Sequence, residues 1–153
     1  MADVLHIGMM LGKPLRFVRA PGEGPRFPWV VESDLAKAMN LSRNHRRVMK
    51  MMTDEGEAGD DAMIVRIDGK AERCISHSLA RGLMDAIEIS RLREAGEIEA
   101  AQAIDADITT SPMVWAYVAA AKAAMDEQTK GMSDGESFVF FLDAMKAENG
   151  GAQ

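Results

Sequence analysis

Residues 34 to 52, DLAKAMNLSRNHRRVMKMM, restrict the fold more than any other stretch, because they read as two short helices with a forced break between them. Ser33 or Asp34 is placed to cap the first helix, whose apolar positions are Leu35, Ala36, Ala38 and Met39. Asn40 tolerates the left-handed backbone that ends a helix, and Ser42 is positioned to cap a second helix immediately. In that second helix Leu41, His45, Val48, Met49 and Met52 recur at helical spacing, which predicts one buried face. Arg43, Arg46, Arg47 and Lys50 occupy the other side. Helix, tight turn and second helix form the pattern of a helix-turn-helix unit. It is a variant here, since Arg46 falls where the standard motif prefers a buried apolar residue.

Strands flank this pair. Val4 to Met10 and Pro14 to Arg19 read as a hairpin around Leu11-Gly12-Lys13. Pro21, Gly22, Gly24, Pro25 and Pro28 make the next stretch a loop, after which Trp29-Val30-Val31 returns to the core as a short strand. Beyond an acidic, glycine-containing loop from Thr53 to Asp61, the segments Ala62 to Ile67 and Ala71 to Ile75 form a β-ribbon about Asp68-Gly69, a dipeptide suited to a tight hairpin turn. Ser76 or Ser78 starts a helix through Leu79, Leu83, Met84, Ile87 and Ile89, and an alanine-rich helical pattern continues from Arg91 to Asp107. Ser111-Pro112 restarts a helix that runs to about Met125, and Gly131 to Gly135 separate it from a last one, Glu136 to Lys146. Asn149 to Gln153 is a small-residue tail expected to be disordered. The fold class that follows is α+β: a small antiparallel sheet with a helix-turn-helix-like pair and a β-ribbon, followed by C-terminal helices. Residues 1–89 are expected to form a DNA-binding domain, and residues 90–153 a helical region for assembly or partner binding.

Charge is divided unevenly along the chain. Residues 1 to 52 hold nine Lys or Arg against four Asp or Glu, and residues 53 to 153 hold nine against twenty, within a net charge of −6. Such asymmetry points to a nucleic-acid-facing part joined to an acidic part. Arg43, Asn44, Arg46, Arg47 and Lys50 combine long cations for phosphates with an amide suited to an adenine edge, and Arg66, Lys70 and Arg73 lie near the tip of the ribbon. The expected mechanism is phosphate anchoring by Arg46, Arg47, Lys50, Arg66, Lys70 and Arg73 on double-stranded DNA, with Arg43 and Asn44 reading bases.

Catalytic and metal chemistry find no constellation. Cys74 and His77 are spaced C-x-x-H, but His6 and His45 have no paired spacing to complete a zinc site, so a buried structural Cys and a turn His are expected. Ser76, His77, Ser78 and Asp85 lack a nucleophile elbow or an oxyanion loop, and the glycines match neither phosphate-binding spacing. No enzyme activity, cofactor or metal is therefore expected. The lone Cys74 suits a reducing compartment, and the longest weakly polar run, Met113 to Ala121, is far short of the roughly 20 residues a bilayer requires. A cytoplasmic location without membrane association is expected. Trp115 and Val118 on one C-terminal helix and Phe138 and Phe141 on another are the candidate surface for a partner or a second copy in a homo-oligomer.

Taken in order, these elements resemble the Bro-N domain of phage and viral antirepressor-type proteins. The residues that carry the resemblance are Pro28-Trp29-Val30-Val31, the run Asp34 to Leu41, and Cys74-Ile75-Ser76 followed by Leu79 and Leu83. His45-Arg46-Arg47-Val48 is similar to the equivalent segment of phage Rha regulatory proteins. The resemblance covers roughly residues 7 to 89. It implies a phage or mobile-element transcriptional regulator that binds DNA. The alternative it leaves open is an antirepressor or inhibitor that acts by binding a repressor or other regulatory protein.

Overall fold

The structure, a computed structural model, describes residues 3–54, 59–107 and 111–149. Five strands form one antiparallel sheet: β1 (Val4–Met10), β2 (Lys13–Val18), β3 (Trp29–Val31), β4 (Ala62–Ile67) and β5 (Lys70–Ile75), in the order β1-β2-β3-β5-β4. Six α-helices accompany it: α1 (Glu32–Ala38), α2 (Arg43–Met52), α3 (His77–Glu94), α4 (Ile98–Ala106), α5 (Pro112–Gln128) and α6 (Asp134–Glu148). The fold is thus α+β with a helix pair, a ribbon and C-terminal helices. Both hairpins close through two residues with positive φ, Leu11-Gly12 at 52° and 80° and Asp68-Gly69 at 50° and 79°, the backbone that matches the twist of the flanking strands. The tail expected to be disordered lies, from Gly150 on, outside the described residues, as does the part of the acidic loop from Glu55 to Ala58.

One sheet face carries most of the core. Leu15, Phe17, Val30 and Ile75 meet Leu35 and Ala38 of α1, Met49 of α2, and Ala80, Leu83, Met84 and Ile87 of α3. Val114, Tyr117, Ala120, Ala121 and Ala124 of α5 belong to the same cluster. The boundary expected after residue 89 falls inside α3, and α5 completes the core of the N-terminal sheet instead of forming a separate region. Gly8 permits this seam: a Cβ there would stand 3.3 Å from the Ala120 Cβ, so a larger side chain would push α5 off β1. The other sheet face holds a smaller cluster of Val18, Trp29, Val31, Ile67 and Cys74. Burial pushes the Cys74 thiol up to about 12, with Glu72 adding to the effect, which suits a packing role.

Two local expectations change. Arg91 to Asp107 is not one helical run, because Gly96 takes φ 78° and Glu97 N–H returns to Leu92 C=O at 2.8 Å, ending α3 and folding α4 back on it through Ile89, Ala101 and Ile104. The first helix begins at Glu32 without a side-chain cap, and neither Ser33 nor Asp34 serves as one. Asp34 is engaged elsewhere. Its carboxylate accepts from the Arg16 backbone N–H at 2.9 Å and from the guanidinium at 2.8 and 3.0 Å, while the same guanidinium reaches Glu72 at 2.5 Å.

These bonds join β2, α1 and β5, and both carboxylates are buried. Removing the cation leaves two charges without compensation in a site that is largely out of water. Arg16→Met, which keeps the apolar stem, is expected to cost about 2 to 3 kcal/mol in urea unfolding, below the range for a fully buried pair because Arg16 itself is partly exposed. A loss under about 0.5 kcal/mol would show the cluster to be screened like an ordinary surface ion pair.

Candidate nucleic-acid interface

The second helix is built as its caps require. Ser42 Oγ accepts from His45 N–H at 3.1 Å, Asn40 takes φ 52°, and Leu41 N–H returns to Ala36 C=O at 3.2 Å. A turn of this kind leaves little freedom between α1 and α2. Its buried stripe is narrower than the spacing predicts: Leu41, His45 and Met49 are buried, with Thr53 beyond the last turn, whereas Val48 and Met52 are 37% and 39% exposed. Steps of four residues keep that stripe on a single line, and Val48 and Met52 sit to one side of it.

Polar contacts fix the helix in place. His45 lies between Ser42 Oγ at 3.2 Å and, across the interface, Ser90 Oγ and Glu94 Oε1 of α3, each at 3.5 Å. Arg91 Nη1 donates to Met39 C=O at 2.6 Å, holding the end of α1 on the same stretch of α3. At the far end of α2, Arg73 Nη1 donates to Thr53 C=O at 3.1 Å, beside Glu32, whose carboxyl is raised above its ordinary value by burial. Helix α2 is therefore clamped at its start by α3 and at its end by the ribbon.

The residues expected to contact DNA divide into three groups. Arg43, Asn44, Arg46, Arg47 and Lys50 are all exposed, and the side chains of the first four make no hydrogen bond or ion pair with another described residue. At 100° per residue the four cations fall within an arc of about 100° on the side away from His45 and Met49. Arg46, which a standard helix-turn-helix would bury, belongs to this open arc. Arg66 lies opposite Ala71, on the same sheet face as Arg73 and hence on the side that carries α2, and its guanidinium braces the turn through Gly69 C=O at 2.7 Å. Lys70, opposite Ile67, belongs to the other face, and Arg73 is occupied by Thr53 with Asp54 3.9 Å away. The structure thus leaves the α2 cations on an open arc, puts Arg66 on the sheet face that carries α2, sets Lys70 on the other face and turns Arg73 into an internal brace.

The C-terminal candidates also separate. Val118, Phe138 and Phe141 line a cavity of about 840 Å³ between α5 and α6, together with Phe27, Met125 and Met145. Trp115 is exposed and lies outside this lining. His77 and Arg81, at one end of α3, complete the wall. The sequence pattern marks His77 only as a turn residue, and Arg81 is not among the expected site residues. Their four-residue spacing on a helix, which puts both on one side, was the available signal. His77 Nδ1 lies 3.2 Å from the hydroxyl of the fully buried Tyr117, with the two rings stacked at 5.5 Å. Among the described residues no group of three His, Cys, Asp or Glu side chains is arranged to hold a metal ion, and no helix is long and apolar enough to cross a membrane. Compared with known protein families, curated proteins and solved structures, the chain matches none.

Burial, reinforced by Arg81, lowers the His77 pKa from 6.5 to about 4. The folded protein resists a proton that the unfolded chain accepts, so this contribution to stability is complete above pH 6.5 and is lost as pH falls toward 4. The loss should amount to about 3 kcal/mol, at 1.36 kcal/mol per pKa unit. Urea titrations across this window should show a shallower pH dependence for His77→Gln than for the parent. Parallel curves would mean that His77 carries its proton in the folded state.

Proposed function

We propose that this protein is a cytoplasmic DNA-binding regulator of phage or mobile-element type, which reads duplex DNA with α2 and involves no catalytic step. The observation that carries the reading is the open arc of Arg43, Arg46, Arg47 and Lys50 on a helix clamped at both ends, in a chain whose net charge is −6. Concentrating cations on one rigid face of an acidic protein creates a local attraction for phosphates, while the remaining acidic surface disfavours loose contact elsewhere. Arg43 and Asn44 open the helix, the position from which a helix set into the major groove reaches base edges. Arg46, Arg47 and Lys50 then meet the backbone, and Arg66 extends the contact from the ribbon. Resemblance to the Bro-N domain supports the same reading.

A second reading is favoured by one observation. Val48, Met51 and Met52 of α2, and Ile64 on the same face of the ribbon as Arg66, are exposed apolar side chains beside the cations. Such a mixed surface suits an acidic amphipathic segment of a repressor or other regulatory protein, which is the antirepressor alternative. Self-association belongs to either reading, with exposed Trp115 as the expected C-terminal contact that the cavity lining does not take up.

Duplex binding measured over a series of salt concentrations separates the two. Each phosphate neutralised releases counterions, so a site with about five contacts gives a log-log slope of about −4 to −5. Arg46→Ala combined with Arg47→Ala should keep the fold, since both side chains are exposed, weaken specific and random duplexes together, and reduce the slope by about two. No binding by the parent at moderate salt would move the assignment to a protein partner, and an unchanged slope in the double variant would remove these two residues from the phosphate contacts.

A further inference from the structure

The cavity bounded by α3, α5 and α6 includes no residue of α2 and calls for an explanation of its own. Its volume of about 840 Å³ lies within the roughly 300 to 1,000 Å³ of small-molecule sites, which combine an apolar lining with a few convergent polar groups. Aromatic rings dominate one side. Phe27 stands edge-on to Phe141 at 5.7 Å and 4.8 Å from the His77 ring, while Phe138 projects from α6 with 62% of its surface exposed.

Helix α6 lies over the cavity with Ala144 buried, Phe141 against Phe27, and the Glu148 carboxylate accepting from the Ser78 backbone N–H at 2.5 Å. The charges lining the cavity are unequally satisfied. Lys122 pairs with Asp126 at 3.0 Å, Glu148 is committed to the start of α3, and Asp134 is solvent-exposed at the start of α6. Arg81 forms no ion pair with a described residue, and its Nε is buried without a hydrogen-bond partner. A guanidinium left in this state calls for an acceptor, and a carboxylate or similar acid group supplies the strongest one.

We propose that this cavity is a binding site for a small organic anion with an aromatic or compact apolar body, the acid group held by Arg81 and the body packed among Phe27, Phe138 and Phe141. His77, four residues before Arg81 on α3, forms the neighbouring part of the cavity wall with its ring against Tyr117. The rings provide area at low entropic cost, because each Phe has only two side-chain torsions to fix. The cation provides the discrimination.

Three probes of one shape and different charge test the site: naphthylacetate, naphthylmethylammonium and naphthylethanol, titrated calorimetrically into the full-length protein. Naphthylacetate should bind at one saturable site more tightly than the other two. Arg81→Gln should lower its affinity about tenfold or more, the value of one charge-assisted hydrogen bond, and leave naphthylethanol within about twofold. Phe138→Ala, which removes an exposed ring, should weaken all three probes. The proposal fails if the ammonium binds as tightly as the acetate, if Arg81→Gln retains full acetate affinity, or if no probe saturates a folded protein. Should Arg81→Gln not fold, the order of the three probes on the unaltered chain decides.

Discussion

The Arg16 guanidinium is the interaction on which the placement of the helix pair depends. Strand β3 has only three residues, so beyond Val31 its neighbours β2 and β5 lose the strand that separates them. Asp34 takes over at that point by accepting the Arg16 backbone N–H that β3 no longer reaches, and the guanidinium spans the gap to Glu72. One cation thereby closes the sheet and fixes the first turn of α1. The arrangement carries a large desolvation cost, which apolar packing of the same volume would avoid. It confers direction: a hydrogen-bonded cluster fixes the angle at which α1 leaves the sheet, and every residue of α2 inherits that angle.

Orientation of α2 is then refined by contacts that are polar on the inside and absent on the outside. His45 to Ser90, Arg91 to Met39 C=O and Arg73 to Thr53 C=O all draw on side chains that face the body of the protein. Exposed cations on the other side are left without internal partners. This division makes physical sense for a binding surface, because a cation already paired within the protein has to give up that contact before it meets a phosphate. Arg73 illustrates the cost. Its bonds to Thr53 stabilise the end of α2 and the junction with the ribbon, and they withdraw it from the surface it was expected to join.

How far the sequence revealed this molecule can be judged at particular residues. Asn40, Ser42, Ser76, Ser111 and the Asp68-Gly69 turn were legible, because each follows a local rule of backbone conformation or capping that no long-range partner overrides there, as Arg16 does at Asp34. Exposure of Arg43, Arg46, Arg47 and Lys50 was legible for a similar reason, since long cations leave a buried stripe wherever one exists. The role of Asp34 was not, because its partners Arg16 and Glu72 lie 18 and 38 residues away and nothing local announces them. Placement of α5 was equally hidden. Its small residues Ala120, Ala121 and Ala124 read as generic helix formers until Gly8 of β1 is set beneath them. Residues 77 and 81 gained their meaning only when α6 was laid across them.

Helix α3 connects the two surfaces. Its 18 residues extend about 27 Å, with His77 and Arg81 in the cavity wall at one end and Ser90 and Arg91 against the helix pair at the other. Between these ends Ala80, Leu83, Met84 and Ile87 are buried in the principal core, which leaves the helix little freedom to slide. Helix α6 is placed differently: only Ala144 is buried among its described residues, and it meets the body through Phe141 and Glu148. Of α3 and α6, which both bound the cavity, α6 is therefore the less deeply anchored. The basic face of α2 is locked to the far end of α3, away from the cavity.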